Sequence, residues 1–156
     1  MQRRPSIAEI MRRMNSERLH AERKAAFIDN LLRYASSKTC KRCRAVLDLS
    51  GNAKLRRTLK KVGYDVRASA SSGNYDAALM KLDNMSETKT LARISKRLTP
   101  AGILIVGHQK TPSSNPRKLE SFLGKAGMKV IDTFGDYGFM PYTNKSEHLF
   151  VLAQKK

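Results

Sequence analysis

Hydrophobic positions along this chain change their period several times, and each change marks an element. Ile7, Ile10, Met11 and Met14 recur at helical spacing, with Arg3, Arg4, Arg12, Arg13 and Arg18 at the positions between and beyond them. A second helical stripe follows in Ala25, Phe27, Ile28, Leu31, Leu32 and Tyr34, and Ser36-Ser37-Lys38-Thr39 is expected to end it. From Arg44 onward the pattern becomes short apolar runs alternating with amphipathic helices. Strands are predicted at Ala45–Leu49, Tyr64–Ala68, Asp76–Leu82, Gly102–Gly107, Lys129–Thr133 and His148–Ala153, and helices at Ala53–Val62, Ser86–Leu98 and Pro116–Ala126. Gly63, Pro100 and Gly127 stand just past periodic segments, where helices stop. Strands alternating with helices predict an α/β fold: a mostly parallel sheet covered on both faces. The last two strands are joined by a long loop from Phe134 to Ser146, of a length that often carries function.

The segment Ala45-Val46-Leu47-Asp48-Leu49-Ser50-Gly51-Asn52-Ala53-Lys54-Leu55 is the most telling. An apolar run ending in an acid, then a tight turn, then an amphipathic helix is the entry unit of a Rossmann-like sheet. Downstream, Tyr75-Asp-Ala-Ala-Leu-Met-Lys-Leu-Asp83 leads to a helix and then to Leu98-Thr-Pro-Ala-Gly-Ile-Leu-Ile-Val-Gly107. The chain closes with Lys125-Ala-Gly-Met-Lys-Val-Ile, a loop and Leu149-Phe-Val-Leu-Ala. This order resembles the class I S-adenosylmethionine-dependent methyltransferases, over residues 24 to 154. The resemblance implies about six strands, the last inserted antiparallel beside its neighbour, in a domain spanning 24–156. Residues 1–23 then form a basic amphipathic helical extension.

The departures from that family bear on function. Its first turn carries several glycines, where this chain has Gly51 alone among Ser50, Asn52 and Ala53, with Lys54 opening the helix. Glycines there let the backbone approach a cofactor, and side chains take up that space. The acid that would hold the ribose hydroxyls falls at about Ala70, and none stands between Arg67 and Asn74. A third strand and its helix, which would contact the adenine, are missing. Asp48, Ser50, Gly51 and Asn52 are the cofactor-binding candidates if the site is retained. The reading is a non-catalytic relative with no cofactor, and S-adenosylmethionine is the cofactor if the site works. Candidate catalytic residues are Asp83, Asn84 and His108, at the sheet edge where open α/β sheets place ligands. The bland alternatives are a loop entering a helix for the first two and a surface residue for the histidine. For Asp48 the alternative is capping of its own turn.

Charge changes the picture. Thirty-one Lys and Arg stand against 13 Asp and Glu, a formal net charge of +18 in 156 residues. Such an excess repels itself in a free monomer and points to a polyanionic partner. Lys54, Arg56, Arg57, Lys60 and Lys61 surround the outside of one predicted helix, and Lys89, Arg93, Lys96 and Arg97 that of the next. Together with Arg12 and Arg13, these are the candidate phosphate contacts. Tyr137, Phe139 and Tyr142 in the last loop are candidate base-stacking residues, with loop packing as the alternative. RNA is favoured over DNA, since nothing resembles a helix-turn-helix or zinc finger. Ribosomal or other structured RNA would suit a broad basic surface.

Two further readings stay open: an active methyltransferase of nucleic acid or protein, and a module docking through Ile7, Ile10, Met11 and Met14 to a protein partner or a second copy. No metal is expected. Cys40 and Cys43 form one pair, and structural zinc needs four ligands, with only His20, His108 and His148 to add. No apolar run is long enough to span a bilayer, and the front lacks a signal-peptide core, which makes a cytoplasmic protein the expectation.

Overall fold

The computed structural model describes residues 4–39, 43–68, 73–81, 88–109 and 116–156. One helix, α1 (Ile7–Thr39), leads into β1 (Ala45–Leu49), α2 (Ala53–Val62) and β2 (Asp65–Arg67). Then come β3 (Tyr75–Lys81), α3 (Thr88–Arg97), β4 (Leu98–Gln109), α4 (Pro116–Lys125), β5 (Met128–Phe134) and β6 (His148–Lys155). The six strands form one sheet in the order β2-β1-β3-β4-β6-β5. Pairings are parallel from β2 through β4, and β6 runs antiparallel to both β4 and β5. The expected α/β sheet, with its antiparallel last strand, is therefore present.

Alternation along the strands builds two core layers. Val46, Ala77, Leu79, Ile103, Ile105, Phe150 and Leu152 face α1 and α2, whose Phe27, Leu31, Leu55 and Leu59 cover them. Their neighbours Leu47, Ala78, Met80, Leu104, Val106 and Val151 face the other way, under Leu91 and Ile94 of α3 and Leu119 and Leu123 of α4. Burial on both faces explains why the central strands read as continuous apolar runs.

Two elements differ from their sequence reading. The two N-terminal stripes belong to one unbroken helix of 33 residues. It begins with a capping box: the Ser6 hydroxyl accepts from the Glu9 N–H (3.2 Å), and the Glu9 carboxylate accepts from the Ser6 N–H (3.3 Å). The helix ends at Thr39, within the expected Ser36–Thr39 stop, and the Ser36 hydroxyl donates to the Leu32 carbonyl one turn back (2.8 Å). Finally, β4 starts at Leu98, directly after α3. Leu98 pairs with Tyr75, the register then shifts, and Ala101 takes a positive φ of 61°. That kink accommodates Pro100 within the strand. Gly102 is required beside it, since a Cβ would lie 2.8 Å from the Thr99 carbonyl oxygen and 2.9 Å from the Leu98 Cβ.

Two polar clusters fix the layers. Asp76 of the Tyr75-Asp76 pair accepts from the Arg44 and Ala45 N–H groups (2.9 and 3.0 Å), which ties the start of β1 to β3. The Tyr64 hydroxyl donates to Asp29 of α1 (2.6 Å), and the Arg33 guanidinium reaches the same oxygen at 3.3 Å. Burial, then the bond to Asp29, pushes the Tyr64 phenol above its ordinary value.

Candidate functional site

The turn after β1 is closed on itself. Asp48 is fully buried, and one of its oxygens accepts from both the N–H (2.9 Å) and the hydroxyl (2.6 Å) of Ser50. The other faces the Arg56 guanidinium at 3.4 Å. The Ser50 hydroxyl in turn accepts from the Asn52 N–H (3.3 Å), and Asn52 caps α2 by accepting from the Leu55 N–H (3.1 Å). Gly51 turns the chain at φ 74°. Each of the four proposed cofactor-binding residues thus takes part in holding its own turn. Arg56 is drawn inward to Asp48 and is only partly exposed, whereas Lys54, Arg57, Lys60 and Lys61 stand in solvent.

Above this turn, at the C-terminal ends of β1, β3 and β4, lies a cavity of about 230 Å³. Ile28, Leu55, Leu79, Ile105 and Phe150 form its apolar wall. Ser50, Lys24, Lys81, Tyr137 and His148 supply its polar groups. Burial in the wall, and secondly the Lys81 charge, hold the Lys24 ammonium below its ordinary value, against a smaller opposing pull from Asp48. Lys24 and Lys81 did not stand out in the sequence, although a signal for each is there. Lys24 lies one turn before Ile28, on the apolar stripe, and Lys81 is the first charged residue after the apolar stretch of its strand.

The last loop is packed down. Phe27 is surrounded by Phe134, Tyr137, Phe139 and Phe150, at ring-centroid distances of 6.2, 5.7, 5.0 and 4.7 Å. Tyr137 also stacks on His148 at 5.3 Å. Tyr142 packs on the opposite core layer. The three aromatics singled out for base stacking are all half-buried, with their rings engaged in or against the core.

The basic residues do not share one surface. Those of α2 lie on the α1 side of the sheet, and Arg93 and Lys96 of α3 are exposed on the other side, with Arg97 partly covered. Arg12 and Arg13 are exposed on the projecting half of α1. Cys43 is buried, and among the described residues no group of His, Cys, Asp and Glu could hold a metal ion. Asp83 and Asn84, the position matched by Ala70, and Cys40 lie outside the described residues, as do the side chains of Lys89 and His108. The backbone of His108 sits in β4, opposite Leu149.

With strand order and cavity in place, comparison with known structures is informative. An S-adenosylmethionine-dependent methyltransferase from Clostridium acetobutylicum superposes with a TM-score of 0.65 at 10% identity, covering 86% of this chain and 91% of that one. The fold is that of the class I methyltransferases. The CcbJ methyltransferase from Streptomyces caelestis gives 0.66 at 8% identity, over 86% and 89% of the two chains. An S-adenosylmethionine-bound amino pentose methyltransferase from Micromonospora echinaspora gives 0.63 at 13%, over 100% and 99%. Neither a protein-family model nor a curated protein sequence matches the chain. No helix among the described residues is long and apolar enough to cross a membrane.

The methyltransferase fold makes S-adenosylmethionine the group against which to test the cavity. That molecule brings a sulfonium and an ammonium, both cationic, and one carboxylate. Lys24 and Lys81 suit the carboxylate, but among the described residues at the cavity the cationic centres meet no free acid, since Asp48 is engaged by Ser50 and Arg56. The volume is also below the roughly 300–1,000 Å³ of sites for larger ligands. The described residues therefore fit the cationic part of this cofactor poorly, and no transfer step follows from them.

Proposed function

We propose that this chain is a non-catalytic methyltransferase-like protein that binds nucleic acid, RNA in preference to DNA, through the outer face of α2. The observation that carries the reading is the makeup of that helix: Lys54, Arg57, Lys60 and Lys61 are exposed, and α2 contains no acid. Several unbalanced cations on one short helix are better explained by phosphate contacts than by solvation alone. The engaged Asp48 and the lysine-bearing cavity support the absence of a cofactor.

The test is RNA binding as a function of salt. Four phosphate contacts to a single strand give a log–log slope near −3, at about 0.7 per contact. Replacing Lys54, Arg57, Lys60 and Lys61 with Gln flattens that slope. Replacing Arg93 and Lys96, on the other face of the sheet, changes it much less. A flat salt response in the unmodified protein overturns the reading.

A second reading, an active methyltransferase, is favoured by the fold and by the cavity's position at the C-terminal sheet edge. Calorimetry with S-adenosylmethionine separates the two, since micromolar binding supports the transferase and contradicts the proposal above.

A further inference from the structure

The cavity has a chemistry of its own, distinct from a surface that tracks phosphates. Among the described residues, its charged or titratable lining groups are Lys24 from α1, Lys81 from β3, His148 from β6 and Tyr137 from the last loop. None of these is a carboxylate. Asp48, below the floor, has one oxygen on Ser50 and the other on Arg56, so its charge is largely compensated within the turn. The remaining wall is aliphatic and aromatic, with Leu79, Ile105 and Phe150 opposite Ile28. An apolar pocket with a few convergent polar groups is the ordinary form of a small-molecule site, and here two of those groups are lysine ammoniums.

We propose that this cavity binds a small oxyanion, a phosphate or carboxylate, borne on a compact apolar body and seated against Lys24 and Lys81. An anion relieves two costs at once. It gives the half-buried Lys24 a charged partner, and it offsets the repulsion between two ammonium groups on one cavity wall. The apolar body packs against Leu79, Ile105 and Phe150, buried side chains that line the cavity. The Tyr137 hydroxyl and Ser50 add neutral polar contacts. A cation gains none of this.

Phenyl phosphate is a suitable probe, measured by calorimetry on the full chain. Binding is expected, and Lys24→Gln and Lys81→Gln are each expected to weaken it by about tenfold or more, the loss of one charge-assisted bond. Lys81 is exposed, so its substitution leaves the fold intact and keeps the test valid if the Lys24 variant is unstable. Lys125→Gln with Lys129→Gln, exposed residues away from the cavity, leaves binding within about twofold. Equal losses in this variant and the cavity variants would mean phosphate is held by net charge alone, and would overturn the proposal. Failure of phenyl phosphate to bind would overturn it too. Comparing a short oligonucleotide with and without a 5′-phosphate identifies the source of the anion. A Lys81-dependent gain from the phosphate assigns the site to a nucleic-acid end, and no gain beside firm phenyl phosphate binding assigns it to a free metabolite.

Discussion

At the scale of single residues, this chain uses side chains typical of a cofactor turn to stabilise the turn itself. Asp48→Ala would leave the Ser50 N–H and hydroxyl and the Arg56 guanidinium without their acceptor. The expected cost is about 2–4 kcal/mol in denaturant unfolding, against about 1 kcal/mol for removing only the cap with Asn52→Ala. Titration separates another pair of residues. An unfolded Tyr64 ionises near pH 10, but the folded phenol is held neutral to higher pH by burial and by Asp29. Its contribution to stability is therefore whole below pH 10 and declines as the pH rises above it. Tyr64→Phe should make the alkaline loss of stability shallower, and a pH series of thermal melts reads this directly. Asp48 was conspicuous in the sequence because an acid ended an apolar run. Asp76 stands in the sequence as the start of a predicted strand, and its role as acceptor for the Arg44 and Ala45 N–H groups depends on contacts 32 and 31 residues away, which no local pattern reveals.

At the scale of elements, α1 divides by burial and not by structure. Its first half carries Ile7, Met11 and Met14 in solvent, at 78, 59 and 63% exposure, and the core begins at Ala25. Removing residues 1–22 should change unfolding free energy by no more than about 0.5 kcal/mol, since no core contact is lost. Phe27→Ala, which empties the centre of five packed rings, should cost about 3–5 kcal/mol. Chemical denaturation of the two variants tests the division. If the exposed stripe docks a partner or a second copy, the same truncation alters the oligomeric state. Strand and helix positions were legible because periods of 2 and 3.6 recur cleanly, and α2 matched its expected span to the residue. The continuity of α1 and the early start of β4 were not. The first crosses the largely polar stretch Asn15–Lys24, which carries no apolar stripe, and the second depends on a strand pairing that draws Leu98 out of its helix.

For the whole molecule, a charge of +18 on 156 residues should make the folded state gain stability with salt, as screening relieves self-repulsion. Thermal melts from low salt to about 0.5 M should rise steadily, and a fall would indicate that attractive pairs dominate. That the charge was high was plain from composition; that it is split across both faces of the sheet was not, since burial of Leu55 and Leu91 in opposite layers is a property of the assembled fold. The shortness of the sheet has one more effect. Among the described residues β2 ends the sheet, with nothing hydrogen-bonded along its outer side. An open rim of this kind invites strand-by-strand association between molecules. Here it is only three residues long, and Asp65 and Arg67 flank the single buried Val66 and reach toward each other at 3.8 Å. A rim so brief and so charged offers a second molecule almost no ladder to extend. A sheet bordered, among the described residues, by so short a strand resists growing into a fibre.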